Sequence, residues 1–142
     1  MASAFDSSYR QFQQRLQQLQ IQVVDASPHE LRVAIAEIQQ MFQLQIVPLA
    51  ETIEASLSTQ LQSIHTEINK QLRLLETDGV FLQAARQPTT AQQRKQQINH
   101  RLDLLLQYCA ASLALQPQPD VFSDASASTP ESSTKAPPTE SN

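Results

Sequence analysis

Apolar residues recur at Phe5, Tyr9, Phe12, Leu16, Leu19 and Val23, in alternating steps of four and three, and the positions between them are mostly Gln, Arg and Ser. This stripe predicts a helix over 3–24 with one narrow apolar seam. Such a seam must be buried against another helix, of the same chain or of a second copy. Asp25-Ala-Ser-Pro28 ends the pattern. Ser27, Pro28 and Glu30 then spell a helix start: an N-cap hydroxyl, a first-turn proline and the third-position acid of a capping box. The second helix, expected over 28–47, carries Leu31, Ile35, Ile38, Phe42, Ile46 and Leu49. Val33, Met41, Leu44 and Val47 broaden its apolar face, so it is expected to be the more buried member. Pro48 removes a backbone donor and disfavours the α conformation at Val47, which predicts a kink or a short break.

Beyond Pro48 the pattern resumes with Ile53, Leu57, Leu61, Ile64, Ile68, Leu72 and Leu75 and is expected to run over 50–87. A helix of about 38 residues would be roughly 57 Å long. Gly79 falls inside it and marks a weak point, costing about 1 kcal/mol relative to Ala. Pro88 cannot continue this helix. Thr89 is placed to cap a fourth, over 90–115, with Gln92 completing a capping box. The fourth helix carries Ile98, Leu102, Leu105, Cys109 and Leu113. The expected fold is therefore all-α: an antiparallel bundle of about four helices, one of them long and kinked near Pro48. The alternative is one continuous kinked helix through Pro48 in an elongated molecule. Residues 1–115 form the expected domain. Residues 116–142 hold five of the eight prolines, many Ser and Thr, four acids and one lysine, and read as a disordered acidic tail dispensable for folding. Val121 and Phe122 stand in it as an isolated apolar pair, a short docking motif or a remnant.

Composition sharpens this picture in a few places. One Gly and no Trp argue against a β-rich fold, since hairpins and bulges consume Gly. The 23 Gln residues are scattered, with no run longer than two, and behave as uncharged helix-formers on solvated faces rather than as a prion-like tract. The net charge of −4 conceals a division: residues 25–67 carry six acids and one base, residues 70–101 six bases and two acids. Either two solvated faces simply differ, or the asymmetry orients a partner or a second copy. An acidic chain without a basic-aromatic platform disfavours nucleic acid. The single Cys109 allows no intramolecular disulfide and fits a reducing compartment. The start of the chain lacks a basic region followed by an apolar run, and no stretch approaches the roughly 18 apolar residues of a membrane span. A cytoplasmic location is expected.

Chemistry is sparse. A helical di-metal site needs Glu three residues before a histidine, but Gln62 and Gln97 precede His65 and His100. His65-Thr-Glu67 resembles half of a zinc-deaminase signature whose Pro-Cys-x-x-Cys half is absent. Glu51 and Glu54 share a face without partner carboxylates or histidines at metal-ligand spacing, and no Gly-rich loop could cradle a phosphate. Cys109 lies nine residues beyond His100, about 13 Å along a helix, too far for a nucleophile and its base. The thiol reads as core filler. No enzyme activity, cofactor or metal is expected.

One resemblance adds to this reading. Ile46-Val47-Pro48-Leu49, Lys70-Gln-Leu-Arg-Leu-Leu-Glu76, Phe81-Leu-Gln-Ala-Ala-Arg-Gln87 followed by Thr90-Ala-Gln92, and Tyr108-Cys109 together resemble the cyanobacterial PatD family, over roughly residues 30 to 110. Gly79 and Ala84 depart from that pattern. The resemblance implies a small cytoplasmic regulator of heterocyst frequency that acts on the division protein FtsZ and promotes its assembly. FtsZ proteins are acidic, which makes Lys70, Arg73, Arg86 and Arg94, read as four cations around the corner after the third helix, the candidate partner-binding residues. A homodimer through the first-helix seam is a further expectation. The alternative function is a structural helical oligomer or scaffold for an unrelated partner.

Overall fold

The computed structural model describes residues 3–115. The tail and its Val121–Phe122 pair lie outside the described residues. Four long helices and two distorted helical turns account for almost all of the described chain, with no strand in it.

Helix α1 spans Ala4–Gln22. The Ser3 hydroxyl accepts from the Asp6 backbone N–H at 3.0 Å and opens the helix. All six seam residues, Phe5 through Val23, are buried inside this one chain. Helix α2 spans Pro28–Met41 and begins as the capping box requires. Ser27 Oγ accepts from the Glu30 N–H at 3.1 Å, and Glu30 Oε1 accepts from the Ser27 N–H at 2.8 Å.

The region around Pro48 differs from a simple kink. The chain widens into a π-helical turn at Phe42–Ile46 and then tightens into a 3-10 turn at Val47–Glu51. The Val47 N–H bonds to the Phe42 carbonyl, five residues back. Proline's ring would collide with the carbonyl four residues before it in a regular helix, so the wider turn relieves that collision. Pro48 then sits in the first turn of the 3-10 segment, where its missing N–H has no partner to lose. The break comes later, at Thr52–Glu54. Thr52 Oγ1 donates to the Leu49 carbonyl at 2.8 Å, and Ser58 Oγ donates to the Ala50 carbonyl at 2.6 Å. These bonds turn the chain, and the alternative of one continuous elongated helix does not occur.

Helix α3 spans Ala55–Ala84, 30 residues rather than the expected 38. Helix α4 spans Pro88–Ala114. Its start corrects the expected Thr89 cap: Pro88 is itself the first helical residue, and Gln87 is an N-cap without a side-chain bond. The broad apolar face expected of α2 is also corrected. Leu31, Ile35, Ile38, Phe42, Ile46 and Leu49 are buried, but Val33, Leu44 and Val47 are exposed, Leu44 at 67%.

Each helix packs beside its neighbours in sequence, and α1 closes the ring against α4. This is an up-down-up-down bundle. The α1–α2 and α3–α4 connections therefore meet at one pole. The α2–α3 connection, Ser3 and Leu115 meet at the other. Phe12 lies against Phe42 with ring centroids 5.9 Å apart, and the Phe42 ring meets His65 edge-on at 5.6 Å. Helix pairs of this kind interdigitate along heptad seams, and α3 supplies its seam as Leu61, His65, Ile68, Leu72 and Leu75, all buried.

Candidate functional site

The pole formed by the two tight connections concentrates the chain's exposed apolar side chains. Of the seven large ones exposed among the described residues, Ile21, Val24, Val33, Val80 and Phe81 lie on the segments that converge there. Ile21 is 76% exposed and Phe81 48%. Three contacts hold the two corners together. Lys95 Nζ donates to the Val24 carbonyl at 3.2 Å, satisfying a carbonyl left open at the end of α1. Arg32 Nη1 donates to Gln83 Oε1 at 2.7 Å. Gly79 lets α3 approach α2, since a Cβ there would stand 3.2 Å from Ile35 Cδ1 and 3.5 Å from Arg32 Cγ.

Beneath this surface lies a charged clamp between α3 and α4. Asp78 is 2% exposed. Arg101 donates to its Oδ2, and Arg94 Nη1 reaches its Oδ1 at 3.4 Å. Arg101 also reaches Gln71 Oε1 at 3.5 Å. The Arg94 guanidinium stacks over the Phe81 ring, 4.7 Å from its centroid, which fixes an otherwise exposed aromatic. A buried carboxylate needs such partners because its charge is stripped of water.

The four sequence-selected cations are thereby separated. Lys70 and Arg73 are exposed on the middle of α3. At 1.5 Å per residue they stand about 21 and 16 Å of helix before Ala84, two or more screening lengths of ~8 Å from the corner. Arg86 is exposed in the connection itself and makes no ion pair among the described residues. Arg94 is half-buried and engaged with Asp78 and Phe81. The four do not form one local patch; Arg86 and Arg94 belong to the pole, Lys70 and Arg73 to the flank of α3. The apolar contribution at the pole was not singled out in the sequence, although Val80 next to Phe81 on a helix whose seam had passed to Leu82 signals an outward pair.

The residues with intrinsic chemistry lie in the interior. The Tyr9 hydroxyl and His65 Nε2 are hydrogen-bonded at 2.5 Å, with the Ser112 hydroxyl beside the phenol. Burial raises the Tyr9 pKa well above its usual value, lowers that of His65 to about 4 and pushes the Cys109 thiol up to about 12. Each shift has desolvation of the charged form as its main cause. At neutral pH all three are uncharged core side chains. Among the described residues no three His, Cys, Asp or Glu side chains are grouped to hold a metal ion, and no helix is long and apolar enough to cross a membrane.

Comparison with protein-family models, with curated proteins and with solved structures finds no match for this chain.

Proposed function

We propose that this protein is a non-enzymatic regulator that works in the cytoplasm by binding the division protein FtsZ and modulating its assembly, in the manner implied by its resemblance to the PatD family. In filamentous species such a role would be linked to heterocyst patterning. One observation carries the binding part of this reading: five of the seven large exposed apolar side chains among the described residues lie on the segments that meet at one pole, which also carries Arg86. Exposed apolar residues scattered over a surface are ordinary, and their concentration toward one pole is what favours a protein-binding surface there. A rigid bundle supports it, with two corners tied to each other by Lys95 and Arg32 and with α3 clamped to α4 through Asp78. Identification of FtsZ as the partner rests on the sequence resemblance, together with the attraction between an acidic filament and the basic half of the chain.

Co-sedimentation with polymerising FtsZ tests the proposal. The chain should pellet only with polymer and change the amount of polymer formed. An Ile21→Ser, Phe81→Ser double variant should stay in the supernatant. If the parent chain also stays in the supernatant at low salt, the division role is wrong. The second reading, a helical oligomer or scaffold, draws on the same pole, which could pair with a second copy. The α1 seam offers no such route, because it is already buried within one chain. A monomer in sedimentation velocity at every loading concentration eliminates the oligomer.

A further inference from the structure

The opposite pole carries a cleft of about 440 Å³ where the start of α1, the α2–α3 connection and the end of α4 converge. Its apolar lining is Ala4, Phe5, Ile53 and Leu115. Ile53 and Leu115 pack on the core only in part, leaving apolar surface turned into the cleft. We propose that this cleft is the docking site of the chain's own Val121–Phe122 segment.

Three observations select that occupant. Leu115 lines the cleft and is also the last described residue, so the following chain starts at its edge. Phe122 is seven residues further on, and seven residues reach at most about 25 Å, which keeps the pair close to the cleft however the intervening chain runs. A short tether of this kind gives an effective concentration in the mM range, enough to seat a motif too weak to bind from solution. Secondly, Val121 and Phe122 are the sole large apolar residues in 116–142. An aromatic ring seated on Phe5 would extend the Phe5–Tyr9 pair, whose centroids are 5.1 Å apart.

The third observation is charge. Asp120 and Asp124 flank the apolar pair. The cleft lies at the N-termini of α1 and α3, where open backbone N–H groups favour carboxylates. The N-cap of α3, Glu54, makes no side-chain bond to that helix, so its first donors are open. Among the described residues Glu54 is the one acid lining the cleft, and it opposes this attraction in part.

The chain contains no tryptophan, so Phe122→Trp makes a single-tryptophan reporter of the full-length protein. Its emission should be blue-shifted and several-fold less quenched by acrylamide than that of an Ala136→Trp control. The shift should be independent of protein concentration and lost on adding Ile53→Ser. A second measurement does not depend on that variant folding: in hydrogen exchange, Phe122→Ser should deprotect residues around 3–7 and 52–56 and leave the middle of α4 unchanged. Equal quenching of the two tryptophans overturns the proposal. So does a blue shift that survives Ile53→Ser in a folded chain, which would place the segment elsewhere. A shift that disappears on dilution overturns it in favour of the tail of a second copy.

Discussion

His65 occupies a seam position that its neighbours fill with Leu and Ile, and it is 7% exposed. Its ring is neutral in the folded protein down to about pH 4, whereas in the unfolded chain it takes up a proton near 6.5. The unfolded state therefore binds more protons between those values, and stability falls as pH is lowered through that window. The full effect is about 3 kcal/mol, at roughly 1.4 kcal/mol per pH unit. Urea unfolding of the parent between pH 7 and 4.5 should lose roughly 2–3 kcal/mol more than His65→Gln, which keeps a partner for the Tyr9 hydroxyl and cannot titrate. Parallel pH profiles would show that His65 is already solvated. Cys109 was legible as core filler from its place on the apolar face of the fourth helix. His65 was not, because apolarity alone put Ile64 in the seam. The alternation of four and three does find it, through Leu61, His65, Ile68, Leu72 and Leu75, and a further step of three brings in Asp78, with Leu82 four beyond, all of them buried. Both polar members are seated by partners distant in sequence, Tyr9 and Arg101, which no local pattern displays.

At the scale of elements, the helices themselves were plain in the sequence, since their seams, the Ser27 capping box and the terminal prolines all agree. What escaped was how prolines are accommodated. Ile38, Phe42 and Ile46 are separated by two successive steps of four, a spacing that a π-helical turn keeps on one face, so Pro48 distorts the helix and leaves its buried side continuous. A helix interior favours Ala, which predicts a weak point at Gly79, yet its missing side chain makes room for Ile35 on α2. Helix propensity would reward a larger residue there by up to about 1 kcal/mol. A Cβ alone already crowds Ile35 Cδ1 at 3.2 Å, and overpacking by a larger side chain costs about 1–3 kcal/mol. Gly79→Leu should therefore lower stability by roughly 1–2 kcal/mol in denaturant unfolding, despite Leu being the better helix-former. A stabilised variant would mean that α2 and α3 can separate freely at this pole.

Across the whole molecule, the cations divide into those that hold the bundle and those that face solvent, which composition could not reveal. Replacing Lys70, Arg73 and Arg86 together by Gln should change stability by no more than about 0.5 kcal/mol, as for other surface substitutions. Arg94→Gln should cost about 1–2 kcal/mol, combining a partly exposed ion pair with loss of its stacking on Phe81. Arg101→Gln should cost about 3 kcal/mol, because it strips a buried carboxylate of its closer partner. That order of losses, read from urea midpoints, also determines which variants can be used to map a partner; equal losses for all of them would show that Asp78 is hydrated.

Cys109 lies in the last third of α4, fully covered, with its thiol held protonated up to about pH 12. Reaction with an alkylating reagent requires both access and the thiolate, and the folded chain denies both. The one thiol is thus a built-in clock for opening of the bundle. Its labelling rate at neutral pH should rise with urea along the slope of the equilibrium unfolding transition, so that each modified molecule records one global opening. A rate indifferent to urea would instead reveal that α4 breathes by itself, detaching and returning while the other three helices stay assembled.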